Sequence, residues 1–178
     1  MKYLPFENYT LVSRLSVGEA RRRLYEQLEP GRSFGFRFFG KKTTKPYEGN
    51  IEYDNFYISR IISYRNSFLP MITGRFLPTG SRIFIKIKMR PTIGTLVFMC
   101  FWMGVVGAVC LFMIVGAVKT FSKWNGKGFS PVVFIPFIMF LFGWALSYFG
   151  FKYESKKARE FLATLFEGEE VVNFPVPS

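Results

Sequence analysis

Two uncharged stretches decide most of what this chain can become. The first, Thr92 to Val118, runs 27 residues without a charged side chain. The second, Gly128 to Phe151, runs 24. A bilayer core of about 30 Å takes roughly 20 helical residues, so each run is long enough to cross one with tilt. Uncharged runs of this length are the signature of a spanning helix rather than of a buried soluble one. Ser130 and Pro131 read as an N-cap followed by proline at the first helical position. Pro136 follows about one turn in, where a kink is tolerated. The link from Lys119 to Gly128 is short, so the two helices should form an antiparallel hairpin. The expected layout is a transmembrane helix over 92–118, an external loop over 119–129 and a second transmembrane helix over 130–151.

Charge orients this hairpin. Arg82, Lys86, Lys88 and Arg90 precede the first run, and Lys152, Lys156, Lys157 and Arg159 follow the second. The link holds only Lys119, Lys123 and Lys127. Cytoplasmic flanks carry the excess of Lys and Arg, so both termini are expected in the cytoplasm, at a bacterial inner membrane. The N-terminal MKYLPFENYTL lacks the apolar core of a secretory signal, which leaves the first span as the insertion signal. The whole chain of 178 residues carries a formal net charge of +12 and a mean hydropathy of +0.18. The pairing of strong basicity with positive hydropathy suits a membrane protein with one basic side. Residues 1–91 hold most of that excess, and 152–178 are nearly balanced.

The composition also removes whole classes of chemistry. There is no His, hence no imidazole base, imidazole metal ligand or His-based triad. Two cysteines cannot build a thiolate zinc site. Cys100 and Cys110 lie in one span, about 15 Å apart along a helix, and read as small apolar fillers. No phosphate-cradling, dinucleotide, nucleophile-elbow, CxxC or HExxH motif is present. Neither span carries a carboxylate for a proton relay. The reading is therefore of a chain that is not an enzyme, takes no cofactor or metal and binds no nucleic acid.

The soluble segments read as α+β. Ser16-Val17-Gly18-Glu19 matches a capping box, opening a helix to about Leu28 with Ala20, Leu24 and Leu28 in one stripe. Arg21, Arg22, Arg23 and Glu26 fill its other faces, solvated or against anionic headgroups. The period then changes to two. Phe34, Phe36 and Phe38 alternate in one strand. Asp54-Asn55 reads as a hairpin turn between Ile51-Glu52-Tyr53 and Phe56 to Ile62. Met71 to Leu77 reads as a further strand, Pro78 to Ser81 as a turn. Arg82 to Arg90 alternates most clearly, with Ile83, Ile85, Ile87 and Met89 on one face and Phe84, Lys86, Lys88 and Arg90 on the other. From Tyr153 to Phe166, Ala158, Phe161, Leu162 and Leu165 form an amphipathic stripe ended by Gly168. The expected fold is an α+β membrane protein: an antiparallel sheet of about five strands, an N-terminal and a C-terminal helix, and a transmembrane hairpin inserted before the C-terminal one. The segment 1–91 and the helix over 152–167 should form one cytoplasmic domain, with 168–178 as a tail.

The candidate functional residues are polar and basic. Arg60 and Arg65 are suited to grip an anion, while Asn66 and Ser67 donate hydrogen bonds at a bend. Lys86 and Lys88, on the outer face of the last strand, would join them against a headgroup or a partner. Glu48, Glu52 and Asp54 share one strand face, mainly as a solvent face. In the spans, Gly104-x-x-x-Ala108, with Gly107 and Gly116 besides, and Gly143-x-x-x-Ser147, with Ala145 and Gly150, offer close helix approach, chiefly between the two spans and otherwise to another subunit. Phe134, Phe137, Phe140 and Phe142 read as lipid-facing.

The run Arg60-x-Ile62-x-Tyr64-Arg65-Asn66-Ser67-Phe68-x-Pro70-x-Ile72-x-Gly74, with Ile85-x-Ile87-x-Met89-Arg90 and the hairpin behind it, resembles small uncharacterised bacterial two-span membrane proteins. Strands beside a short membrane hairpin are also similar to bacterial membrane-attached PH-like domains. The first resemblance implies an inner-membrane location and carries no activity with it. The expected function is that of an accessory or scaffold subunit binding a partner protein at the inner leaflet, or assembling with itself. The alternatives are an anionic-headgroup binding module and a subunit of an oligomeric pore or transporter.

Overall fold

A computed structural model describes residues 6–30, 45–62, 66–121 and 131–171. The chain divides into two compact units. One joins Met1–Thr92 with Gly150–Ser178, and the other is Ile93–Phe149.

The first unit is a sheet of seven strands: β1 (Glu7–Ser13), β2 (Leu28–Pro30), β3 (Tyr47–Glu52), β4 (Asn55–Arg60), β5 (Pro70–Thr79), β6 (Arg82–Pro91) and β7 (Glu169–Val171). Their order across the sheet is β2-β3-β4-β5-β6-β1-β7. The sheet thus exceeds the expected five strands. It is also mixed rather than wholly antiparallel, because β2 pairs with β3 in parallel. The additional strands left weak traces. β2 and β7 have three residues each, too few to show a period of two. In β1, Glu7 and Ser13 share the inward face with Tyr9 and Leu11, so its alternation in polarity is blurred. The Phe34–Phe38 strand lies outside the described residues.

Register follows from the pleat. Phe56, Ile58, Ile72, Phe76, Ile83, Ile85, Ile87, Met89, Tyr9 and Leu11 face inward and join one buried core. Two helices cover that face. Helix α1 (Val17–Glu26) lends Ala20 and Leu24. The end of α3 (Ile135–Leu165) lends Phe151, Ala158 and Leu162, with Phe166 just beyond it. Burial of each large apolar side chain contributes roughly 1.5–3 kcal/mol. The aromatic set is tightly fitted: Phe166 meets Phe76 edge-on at 5.8 Å, and Tyr47 stacks on Phe161 at 4.4 Å. Gly74 is required there, since a Cβ would sit 1.9 Å from the buried ring of Phe56.

Three local expectations are corrected. Helix α1 ends at Glu26, and Leu28 supplies its core contact from β2 instead. The β3–β4 loop is Tyr53-Asp54, because Glu52 pairs with Asn55; Tyr53 takes φ +49°. The separate C-terminal helix does not exist: α3 runs unbroken from Ile135 to Leu165. Polarity changes at Lys152, but no proline interrupts the backbone there. Pro136 sits instead in the first turn of α3, where a missing N–H removes no helical bond.

The second unit holds α2 (Ile93–Phe121), a short 3-10 turn (Pro131–Phe134) and the first part of α3. Its two helices are long and apolar enough to cross a membrane. They touch through small residues. A Cβ on Gly107 would meet the Phe140 ring at 3.3 Å, and one on Gly143 would meet Trp102 at 3.4 Å. Phe140 therefore faces α2 rather than lipid. Most other large side chains here point outward, among them Phe98, Phe101, Phe112, Phe134 and Phe142.

Candidate functional site

The arginines of α1 are paired with acids. Arg22 pairs with Glu19 and Glu26, Arg23 with Glu19 and Glu167, and Arg21 with Asp54. Ser16 caps α1 by accepting from the Glu19 N–H at 3.2 Å. The Glu19 carboxylate turns to Arg22 and Arg23, so the box forms on the Ser16 side. Hydrogen bonds from these arginines hold Glu19 down at about 2. Arg21, Arg22 and Gly18 rim an open depression of about 400 Å³ with Tyr25, Ile51 and Tyr53. Arg21 is already engaged there with the Tyr53 carbonyl and Asp54.

The sequence grouped Arg60, Arg65, Asn66, Ser67, Lys86 and Lys88, and the structure disperses that group. Arg60 lies on the inner face, opposite Tyr47, and donates to Glu154 at 2.8 Å. The Glu154 side chain is 0% exposed, so this guanidinium answers a buried carboxylate. Beside it, burial pushes the Tyr47 hydroxyl up to about 12. Arg65 lies outside the described residues. Asn66 shapes a turn, its Oδ1 accepting from the Phe68 N–H at 3.0 Å, and Ser67 is exposed in that turn. Only Lys86 and Lys88 reach the outer face, where β6 carries them.

That outer face is the candidate site. Lys86 lies opposite Arg75 of β5, and Lys88 opposite Thr73. Arg90 and Arg82 extend the row along β6. Like charges directly opposed across strands destabilise a sheet, and no acid pairs with Arg75, Lys86, Lys88 or Arg90 among the described residues. The other end of the face is acidic, with Glu48 and Glu52 on β3. Tyr57 and Met71 lie between these ends, 46% and 44% exposed. Within the first unit, both described helical segments pack on the opposite face. Sequence reasoning missed Arg75, because only the β5–β6 register sets it beside Lys86.

In the second unit, Gly143 faces the partner helix, meeting Trp102 and Met103, while Ser147 is buried and donates to the Gly143 carbonyl of its own helix at 2.7 Å. Gly104 and Ala108 are exposed, with nothing near a Cβ on Gly104. The helix contact uses Gly107 in their place. Among the described residues, no group of three or more His, Cys, Asp or Glu is positioned to hold a metal ion. Comparison with protein families, curated proteins and solved structures finds no match for this chain.

Proposed function

We propose that this chain is a non-enzymatic accessory or scaffold subunit, anchored in the bacterial inner membrane by its two apolar helices with both termini in the cytoplasm. In this reading it binds a partner protein through the outer face of the sheet. The observation that carries it is the contrast in charge. The arginines of α1 are paired with acids, whereas Arg75, Lys86, Lys88 and Arg90 stand together without one among the described residues. An exposed aromatic and a methionine beside arginines match the composition of protein interfaces. The test is photo-cross-linking in intact cells from a probe at Thr73, with and without Arg75→Glu/Lys88→Glu. A defined protein adduct that the double reversal removes supports the reading. Absence of any protein adduct argues against it.

A second reading is recognition of anionic headgroups by Lys86 and Lys88, supported by the same concentration of basic charge. Each basic residue near an anionic leaflet contributes about 1 kcal/mol. Purified protein that retains phosphatidylglycerol only while both lysines are present would favour it.

A further inference from the structure

The outer face is not uniformly basic, and its layout is self-complementary. Across the strands one row reads Glu52, Asn55, Arg75, Lys86. The next reads Asn50, Tyr57, Thr73, Lys88. The third reads Glu48, Ser59, Met71, Arg90. Acid stands on β3, cations on β5 and β6, and β4 is neutral between them. Neighbouring strands are about 4.8 Å apart, so β3 and β6 are separated by about 14 Å.

We propose that the occupant of this face is a second copy of the same chain, stacked sheet on sheet about a two-fold axis parallel to the strands. This rests on the partner-binding reading above and names the partner. Place the axis between β4 and β5, midway between two sheets about 10 Å apart. It sets β3 of one copy over β6 of the other, and β4 over β5. Each row keeps its level. Glu52 then faces Lys86 of the second copy, Glu48 faces Arg90, and Asn50 faces Lys88. Tyr57 and Met71 are covered at the centre, with charge at both flanks, as in interfaces with an apolar core and polar rim. An axis perpendicular to the strands instead lays β3 over β3 and β6 over β6, acid on acid and base on base. An isologous contact of this kind closes on itself as a dimer. The strand-parallel axis also leaves both Pro91 ends at the same end of the pair. Two chains that continue into α2 there can enter one bilayer.

The test uses full-length protein in its own membranes, with Cys100 and Cys110 replaced by Ser. Copies carrying Asn50→Cys and Lys88→Cys on different tags are co-expressed and treated with a short bismaleimide, because facing sheets about 10 Å apart are too far for a direct disulfide. A thioether-linked pair of the two tags is expected. In otherwise unaltered protein, Lys86→Glu and Glu52→Lys should each weaken pairing by at least about tenfold. The double swap Glu52→Lys/Lys86→Glu should restore it, which general loss of folding cannot do. Cross-linking of the Asn50→Cys copy to a different protein, without self-pairing, overturns the dimer and leaves the partner-binding reading standing. Association only with phosphatidylglycerol, or none at all, overturns both. A dimer indifferent to all three charge variants overturns this face as its contact.

Discussion

Glu154 is the residue on which the inner face of the sheet depends for its one fully buried charge among the described residues. Its carboxylate is 0% exposed and meets Arg60 at 2.8 Å. A buried pair of this kind gains little over apolar replacements, but losing one partner leaves the other charge desolvated. Arg60→Met is therefore expected to cost about 3 kcal/mol, and Arg60→Met/Glu154→Leu to recover most of it. Denaturant unfolding of the four members of that cycle measures the difference. Glu19 sets an acid limit. Its folded value, about 2, lies below its ordinary value of 4.5. A depressed carboxylate stabilises above the unfolded value and loses that contribution as pH falls through the folded one. The stability gap between wild type and Glu19→Gln should be full above about pH 5, shrink between 4.5 and 2, and vanish below, as followed by thermal unfolding. The Ser16–Glu19 motif was legible because a cap is written in four consecutive residues. The role of Arg60 was not, because Glu154 stands 94 positions away.

Elements were legible in proportion to how regularly they repeat. β6 alternates over ten residues and was read almost to its ends, and both apolar helices announced themselves by length. β2 and β7 offer three residues each and are held by neighbours distant in sequence. The continuity of α3 was hidden because its sequence changes character at Lys152 without changing conformation. Contacts between the apolar helices were legible as small residues, and Gly143 is one of them, but on α2 the sequence did not say which small residue makes the contact. Gly104-x-x-x-Ala108 fits the pattern, yet Gly107 is the residue against Phe140. The consequence is a pair of opposite outcomes. Gly107→Leu should loosen the α2–α3 contact and lower its resistance to thermal unfolding in detergent by several degrees. Gly104→Leu should leave that resistance unchanged, because its Cβ position is open.

At the scale of the molecule, the positive flanks predict an orientation that the fold of either unit leaves free. The variant Trp124→Cys, in the 119–129 link, should react with a membrane-impermeant maleimide added outside intact spheroplasts. The variant Ser178→Cys should react only after the membrane is opened. The reverse pattern would overturn the orientation read from charge. The assembly of the first unit carries a further consequence. Most of its sheet is made from the start of the chain, but one of the two helices that cover it and the strand beside β1 come from the end. Ser13, for example, donates to the carbonyl of Phe166, 153 positions later. Between them lie the 57 residues from Ile93 to Phe149, about 3–11 s of synthesis at ordinary ribosomal speed. For that interval the apolar face of the nascent sheet has only α1 to cover it. The domain is completed only after both apolar helices have left the ribosome, so its maturation is timed by their synthesis.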